Sequence, residues 1–547
     1  MKSSWFLAAA ATLLCCIGCV SVDNELGGSF LPVNHTYQVV SPAPVEIPVQ
    51  MKLADSLSAY SSTRITIGAI RNDEEFGLST RSSCLTLVPM YMESLDFGKN
   101  PVLQNFHFSA LADSSSVCDL DQKNILQSVY VYELSEQLDP DYRTYCKTEP
   151  AHGTKLISTT VPVIGHGDSL SFNFTKEFAE KFFTITEEES KDIKLYTKRF
   201  PGIYITTGKP VGRGGRFNIY QLQLQYDSDY GYIKGSTAAL KFNSTWTIDG
   251  KEMKKDSTFW FYFSATDFYD IDSLLTNSGT GSFPQYCANV TGDASASKVG
   301  AATDYVYIEG GGGVKPVISA KDIRSKAVQM IAANGHDPKK AVINKATITL
   351  HYAEPDTDFE TMYKVPDILS PTCLIHGTEP GVISYMGLTD ASDENEDQGG
   401  IHRSQMTYSP DITYHLQRLL ALDDDTDKMD GGDYDIWLLI QHNDVTTTTT
   451  SGNSELSEYY NYLAYQSMMS NMYGGGYGYG YGYGGYGYSN YYNYAMMAQY
   501  YGSSSTTSKT TPTLDRDRYY YCKLYGPAAT DPALRPTFSF TYSIPNE

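Results

Sequence analysis

The sequence predicts an all-β protein, two jelly-roll-like β-sandwich domains in tandem with few short helices. Three observations carry this reading. Short runs of β-branched and aromatic residues recur between Gly, Pro, Asn and Asp clusters along most of the 547-residue chain. Helical periodicity is confined to two brief stretches. The same order of elements then occurs twice, and the length is too great for one ordinary core.

In the first half the strand candidates are "RITIGAI", "CLTLVPMYM", "LQSVYVYEL", "GIYITT" and "IYQLQLQYD". In the second they are "DYVYIEG", "ATITLHYA", "YDIWLLIQ" and "TFSFTYSIP". Each half reads strand, strand leading into one amphipathic helix, strand, closing strand. The helices are marked by Phe178, Phe182 and Phe183 in one half and by Tyr414, Leu416, Leu419 and Leu420 in the other, apolar stripes that should face a core. This divides the mature chain into an N-terminal sandwich over 37–265 and a C-terminal one over 266–547. The closing strands, Ile219 to Tyr226 and Thr537 to Tyr542, alternate apolar with polar residues and should each sit within a sheet.

Before the first strand, "MKSSWFLAAAATLLCCIGCVS" has one Lys, an apolar run from Trp5 to Ile17 and small residues ahead of a cysteine. The run is too short to span a bilayer as a mature helix. Its ending, Cys16-Ile17-Gly18-Cys19, resembles the bacterial lipobox, so residues 1–18 are expected to be a lipoprotein signal peptide and Cys19 the acylated N-terminus, followed by a tether over 19–36. Two or three acyl chains hold a protein on a membrane almost permanently. Val20 supplies no acidic retention signal, which makes the outer membrane the expected location. Asp23 and Glu25 tilt the expectation towards its surface face.

Composition narrows the partners. A net charge of -22 and a pI near 4.8 exclude nucleic acid, whose binding requires clustered Lys and Arg. Six cysteines follow Cys19, all far apart and without a C-x-x-C, so neither a zinc ribbon nor a thioredoxin-type motif is present. Fifteen disulfide connectivities and buried free thiols are both open. There is no H-E-x-x-H and no G-x-S-x-G elbow. Asp423, Asp425 and Asp427 alternate as in hard-cation loops, but Lys428 and Tyr434 stand where an EF-hand needs Gly and Glu. A solvated acidic turn is the simpler account, a structural Ca2+ the alternative, and no other cofactor is expected.

Two glycine-rich stretches stand out. "YIEGGGGV" lacks the Lys and Ser/Thr of a P-loop, and its glycines suit a tight turn or bulge at positive φ. The run from Asn471 to Tyr492 is almost all Tyr and Gly, inside an insertion from about Val445 to Pro512 between two expected strands. Its Gly482-x-Gly484-x-x-Gly487 matches the dinucleotide fingerprint formally, without the strand and helix that motif needs. A flexible insertion is one reading. A sticky aromatic surface is the other, with Tyr477, Tyr479, Tyr481 and Tyr483 as binding candidates.

Several landmarks together, "LGGSFLP", "ITIGAIRNDEEFG", "LQSVYVYELSEQLDPDY", "FPGIYITT", "YIEGGGGVKPVI", "INKATITL" and "LYGPAATDPALRPTFSFTYSIP", resemble the Bacteroidetes lipoproteins grouped as Domain of Unknown Function 4270. The resemblance implies an exported, lipid-anchored envelope protein with no established activity, and it carries over no catalytic residue. The expected function is therefore a non-catalytic outer-membrane lipoprotein that binds a glycan or another envelope protein. The alternative is a polysaccharide-active hydrolase whose carboxylate pair forms only in the fold. Replacing Cys19 with Ser should release the protein from the membrane fraction or leave it unprocessed; a mature, membrane-bound variant would remove the anchor assignment.

Overall fold

The computed structural model describes residues 37–545 except 61–63, 73–75, 90–94, 119, 139–144, 223, 228–231, 249, 264–286, 294, 354–363, 377–382, 389, 391–397, 423–428, 430 and 450–505. The fold is all-β and sandwich-like, with antiparallel sheets and four α-helices among the described residues.

In the first unit, one long strand makes the sandwich. Lys99–Val117 is 19 residues long, and its two halves serve different sheets. Leu111 to Val117 pairs with Gly214–Gln221, whereas Lys99 to Ser109 pairs with Thr237–Ile248. Register shifts interrupt both pairings, the kind of bulge that lets a strand turn a corner. Between the two layers lies a phenylalanine-rich core. Phe106 packs against Phe174, Phe182 and Phe261 with ring centroids 4.6, 5.3 and 5.3 Å away. The helix Lys176–Glu180 and the single turn after it deliver Phe178 and Phe182 to this core, and Phe183 packs at its edge.

The second unit has its own core. One sheet runs Tyr37–Val40, Thr537–Pro545, Val342–His351, Thr407–Tyr408, Ile401–His402. The other runs Gly300–Ala301, Gln50–Leu53, Val314–Ile318, Ile436–Thr449, Ile368–His376, Ile383–Gly387. Thr537–Pro545 sits between two partners and buries every second residue, Phe538, Phe540, Tyr542 and Ile544. Helices Ala320–Ala333 and Thr413–Ala421 bury one stripe each against the same core.

Sheet membership crosses the division at residues 265/266 in both directions. Tyr37–Leu53 contributes three strands to the second unit, and Cys287–Gly292 extends the first by pairing with Gly77–Leu85. The strands that precede and follow the first unit also pair with each other, Met51 opposite Gly300 and Gln50 opposite Ala301. Residues 54–292 are thus set between two neighbouring strands of the second sandwich. Local pattern cannot foresee this, because register with strands hundreds of residues away decides it.

Three expectations need correction at the level of residues. Tyr414 is 54 % exposed, since the buried stripe of its helix is His415, Leu416, Leu419 and Leu420. The expected closing strand Ile219 to Tyr226 is two pieces: it ends in the sheet at Gln221, and Leu224–Asp227 forms a separate ribbon with Tyr232–Gly235. The insertion has a regular stem, because Gln441 to Thr449 pairs with Leu514 back to Thr506. All six cysteines are free, five buried and Cys373 half-buried, so none of the fifteen disulfide pairings forms. Burial pushes the Cys373 and Cys522 thiols up to about 12, which keeps them unreactive.

His415 gives the fold an acid-sensitive point. Its ring is buried, Nε2 donates to the Tyr434 carbonyl at 3.0 Å, and burial holds its pKa down to about 4. An unfolded chain, with an ordinary histidine near 6.5, takes up this proton first as pH falls. The contribution is complete above the unfolded value and is lost between there and about 4. Lowering pH from 7 to 5 should therefore remove about 2 kcal/mol through this group. His415→Gln, which keeps a donor, should show a correspondingly smaller drop in denaturant midpoint; an unchanged drop would assign the acid loss to other groups.

Candidate functional site

Where the two units meet, a short ribbon carries a row of tyrosines on one face. Tyr305–Glu309 pairs antiparallel with Tyr521–Tyr525, placing Tyr305 opposite Tyr525, Tyr307 opposite Lys523 and Glu309 opposite Tyr521. Strand alternation sends Val306, Ile308, Cys522 and Leu524 into the core. Tyr305, Tyr307, Tyr521, Lys523 and Tyr525 consequently share the other face, where Tyr305 is 39 % exposed and the rest are half-buried.

The rings form a continuous surface. Tyr305 lies 6.4 Å from Tyr307 and 6.1 Å from Tyr525, centroid to centroid. The Lys523 ammonium stands 5.7 to 5.9 Å from the centroids of Tyr305, Tyr307 and Tyr521, and Lys298 sits 4.1 Å over Tyr307. From the first unit, the buried Phe76 meets Tyr307 and Tyr521 edge-on at 6.2 and 5.1 Å. The surface is aromatic, hydroxyl-bearing and cationic.

Beneath one end of the ribbon lies a buried ionic cluster that joins the units. Arg81 donates to Asp293 at 2.8 Å, with side chains 1 % and 0 % exposed. Glu309 accepts from the Ser79 hydroxyl at 2.6 Å and from the Ser295 amide at 3.1 Å. Lys315 turns its ammonium to the backbone carbonyls of Glu309, Gly311 and Gly313, the last two at 3.1 and 3.0 Å. Burial lowers the Lys315 pKa to about 8 and raises that of Glu309.

The four glycines of "YIEGGGGV" belong to this cluster. A turn is present, with Gly311 at φ +59 and the Gly313 amide donating to Gly310 at 3.2 Å. Volume matters as much as the turn. A Cβ on Gly313 would lie 2.6 Å from Glu309 Oε2, one on Gly311 2.5 Å from Arg81 Nη2, and one on Gly310 2.6 Å from the Arg518 carbonyl. Larger residues cannot bring the carbonyls this close to the charges.

Asp293 and Glu309 are two neighbouring carboxylates, but both are buried, Asp293 against Arg81 and Glu309 against Ser79 and Ser295, and neither lines an open groove of the kind a glycosidase pair needs. A separate depression lined by Leu87, Glu133, Phe178, Lys181, Phe182, Phe200 and Gly202 carries one carboxylate, bound by Lys181 at 2.6 Å. Among the described residues no group of three or more His, Cys, Asp or Glu is arranged to hold a metal ion. Cys19, Asp423, Asp425 and Asp427, and Tyr477, Tyr479, Tyr481 and Tyr483 all lie outside the described residues. The sequence marked "DYVYIEG" and the final tyrosine-rich segment as strands, but their pairing, which makes the surface, spans more than two hundred residues. No family model, curated protein or solved structure matches this chain.

The cluster makes a stability prediction. Lys315→Met removes the ammonium, leaving carbonyls without a donor and the buried carboxylates short of a cation. Such a loss typically costs about 3 to 5 kcal/mol. A urea midpoint equal to that of the parent would show that the ammonium is dispensable.

Proposed function

We propose that this chain is a non-catalytic outer-membrane lipoprotein, held by acyl chains on Cys19, that binds an anionic glycan of the cell envelope on the tyrosine ribbon. The observation that carries the reading is the ribbon face on which exposed Tyr305 and half-buried Tyr307, Tyr521 and Tyr525 surround Lys523. A sugar ring offers an apolar C–H face and a rim of hydroxyls. Aromatic planes take the first, and tyrosine hydroxyls and lysine N–H groups take the second. Lys523 and Lys298 favour sugars bearing carboxylates or phosphates, against the strongly acidic average of the chain. Because both strands are anchored in a packed core, the rings need little further ordering on binding.

Affinity electrophoresis with acidic polysaccharides, polygalacturonate and native envelope glycan among them, tests this. Tyr305→Ala combined with Tyr525→Ala should weaken retardation tenfold or more, equivalent to about 1.4 kcal/mol. Lys523→Gln should weaken it with a shallower dependence on salt. Equal retardation of parent and double variant would reject the ribbon as the site. Shortened glycan in the recovered sample would point instead to a hydrolase.

A further inference from the structure

A second face of the first unit carries a row of side chains unrelated to the ribbon. Asn173, His107, Ala239 and Trp260 stand opposite one another across four neighbouring strands: Asn173 pairs with His107, His107 with Ala239, and Ala239 with Trp260. The adjoining row, Phe172, Phe108, Ala238 and Phe261, is buried in the core. Alternation along each strand therefore turns the Asn173 to Trp260 row outward. Three strand spacings make it about 14 Å long.

The row joins one large aromatic plane to a fixed set of polar groups. Trp260 is 43 % exposed, whereas Ala239 beside it is covered. His107 Nδ1 lies 2.8 Å from Asn173 Oδ1, and its Nε2 lies 3.2 Å from the Ser171 hydroxyl. An amide oxygen only accepts, so Nδ1 donates to Asn173. The two contacts hold the ring in one orientation, and the Asn173 N–H groups remain to donate and the Ser171 oxygen to accept. Charged side chains of both signs lie on the neighbouring rows. Lys241 is exposed on the next row, and Asp256 accepts from Gln104 and Asn243 at 2.7 and 2.8 Å.

We infer that this face is a second carbohydrate site, fitted to a neutral pyranose oligosaccharide, with Trp260 as the stacking plane and Asn173, His107 and Ser171 as the hydrogen-bonding rail. A sugar needs an apolar plane near groups that both donate and accept, and this row supplies both, two strand spacings apart with Ala239 between them. A protein partner is less well matched, since the core of a protein interface is a cluster of large apolar side chains and this row has one. The site shares with the proposed function only the general class of ligand; its residues and the charge of its ligand differ.

Tryptophan fluorescence of the full chain, titrated with short neutral xylo-, manno- and cello-oligosaccharides, reads the site directly. At least one series should give a saturable shift. Trp260→Ala should abolish it, and His107→Ala should weaken the binding tenfold or more. Trp260→Phe, monitored by calorimetry, should retain part of the affinity. The Tyr305→Ala, Tyr525→Ala double variant should bind these neutral sugars as the parent does. A shift that survives Trp260→Ala, or the absence of any response to all three series, overturns the inference. In the second case, acidic polysaccharide still retarded by the parent chain would leave the ribbon reading intact. Far-ultraviolet circular dichroism of each variant separates lost binding from lost folding.

Discussion

Four charges removed from water sit at the junction of the two sandwiches and fix how they meet. Arg81 comes from a strand of the first sandwich, Asp293 from the segment returning out of it, and Glu309 and Lys315 from the second. A buried ion pair adds little net stability, because desolvation offsets most of the attraction; what it adds is intolerance of any other arrangement. Were the units to shift by one residue, Glu309 of the second would lose the Ser79 hydroxyl of the first, while Arg81 and Asp293 would stay paired across neighbouring strands of the first. The tetraglycine loop makes this geometry reachable by letting three carbonyls surround one ammonium. An apolar contact would tolerate sliding. This one does not.

The placing of the ribbon tyrosines follows from that lock. Glu309 and Tyr305 lie on one strand face, so burial of the first at the junction fixes how the second meets solvent. Phe76 completes the arrangement from the other unit. The contrast with the Tyr/Gly run is one of pattern. In the ribbon, tyrosines recur with strand period beside Val306, Ile308, Cys522 and Leu524, which pay the entropic cost of order through burial. In the run from Tyr473 to Tyr488 every neighbour is glycine or another tyrosine, and no such anchors alternate with them.

Much of the fold was legible because its signals are local. The alternation of Thr537–Pro545 reads directly as a strand with one buried face, and Phe178 with Phe182 reads as a helical stripe. Helix Ala320–Ala333 was missed although its signals are present: Ser319 accepts from the Asp322 amide as a cap, and Ile323, Ala327 and Ile331 are spaced four apart. Alanine thins that stripe until hydrophobicity alone does not show it. The two surfaces proposed for binding were illegible for another reason. Tyr305 meets Tyr525, and Asn173 meets Trp260 through two intervening strands, only by long-range register, and no single segment contains the pattern. The tetraglycine was the one local trace of the ionic cluster, and it names no partner.

The path of the chain explains why one lock suffices. The first unit leaves the second after Leu53 and returns before Gly300, and Met51 and Gly300 are strand neighbours, so its two connections start from nearly one point. A body tied at one point can still swing. The contacts of Ser79 with Glu309 and of Phe76 with Tyr307 and Tyr521 lie along Gly77–Leu85 and just before it, away from the Met51–Gly300 pair in sequence and strand. A tie and a separate charged contact together restrict rotation as neither does alone. Tyr37–Val40 is an edge strand of the second sandwich, so the anchor proposed on Cys19 would bear on that unit and reach the first only through the junction.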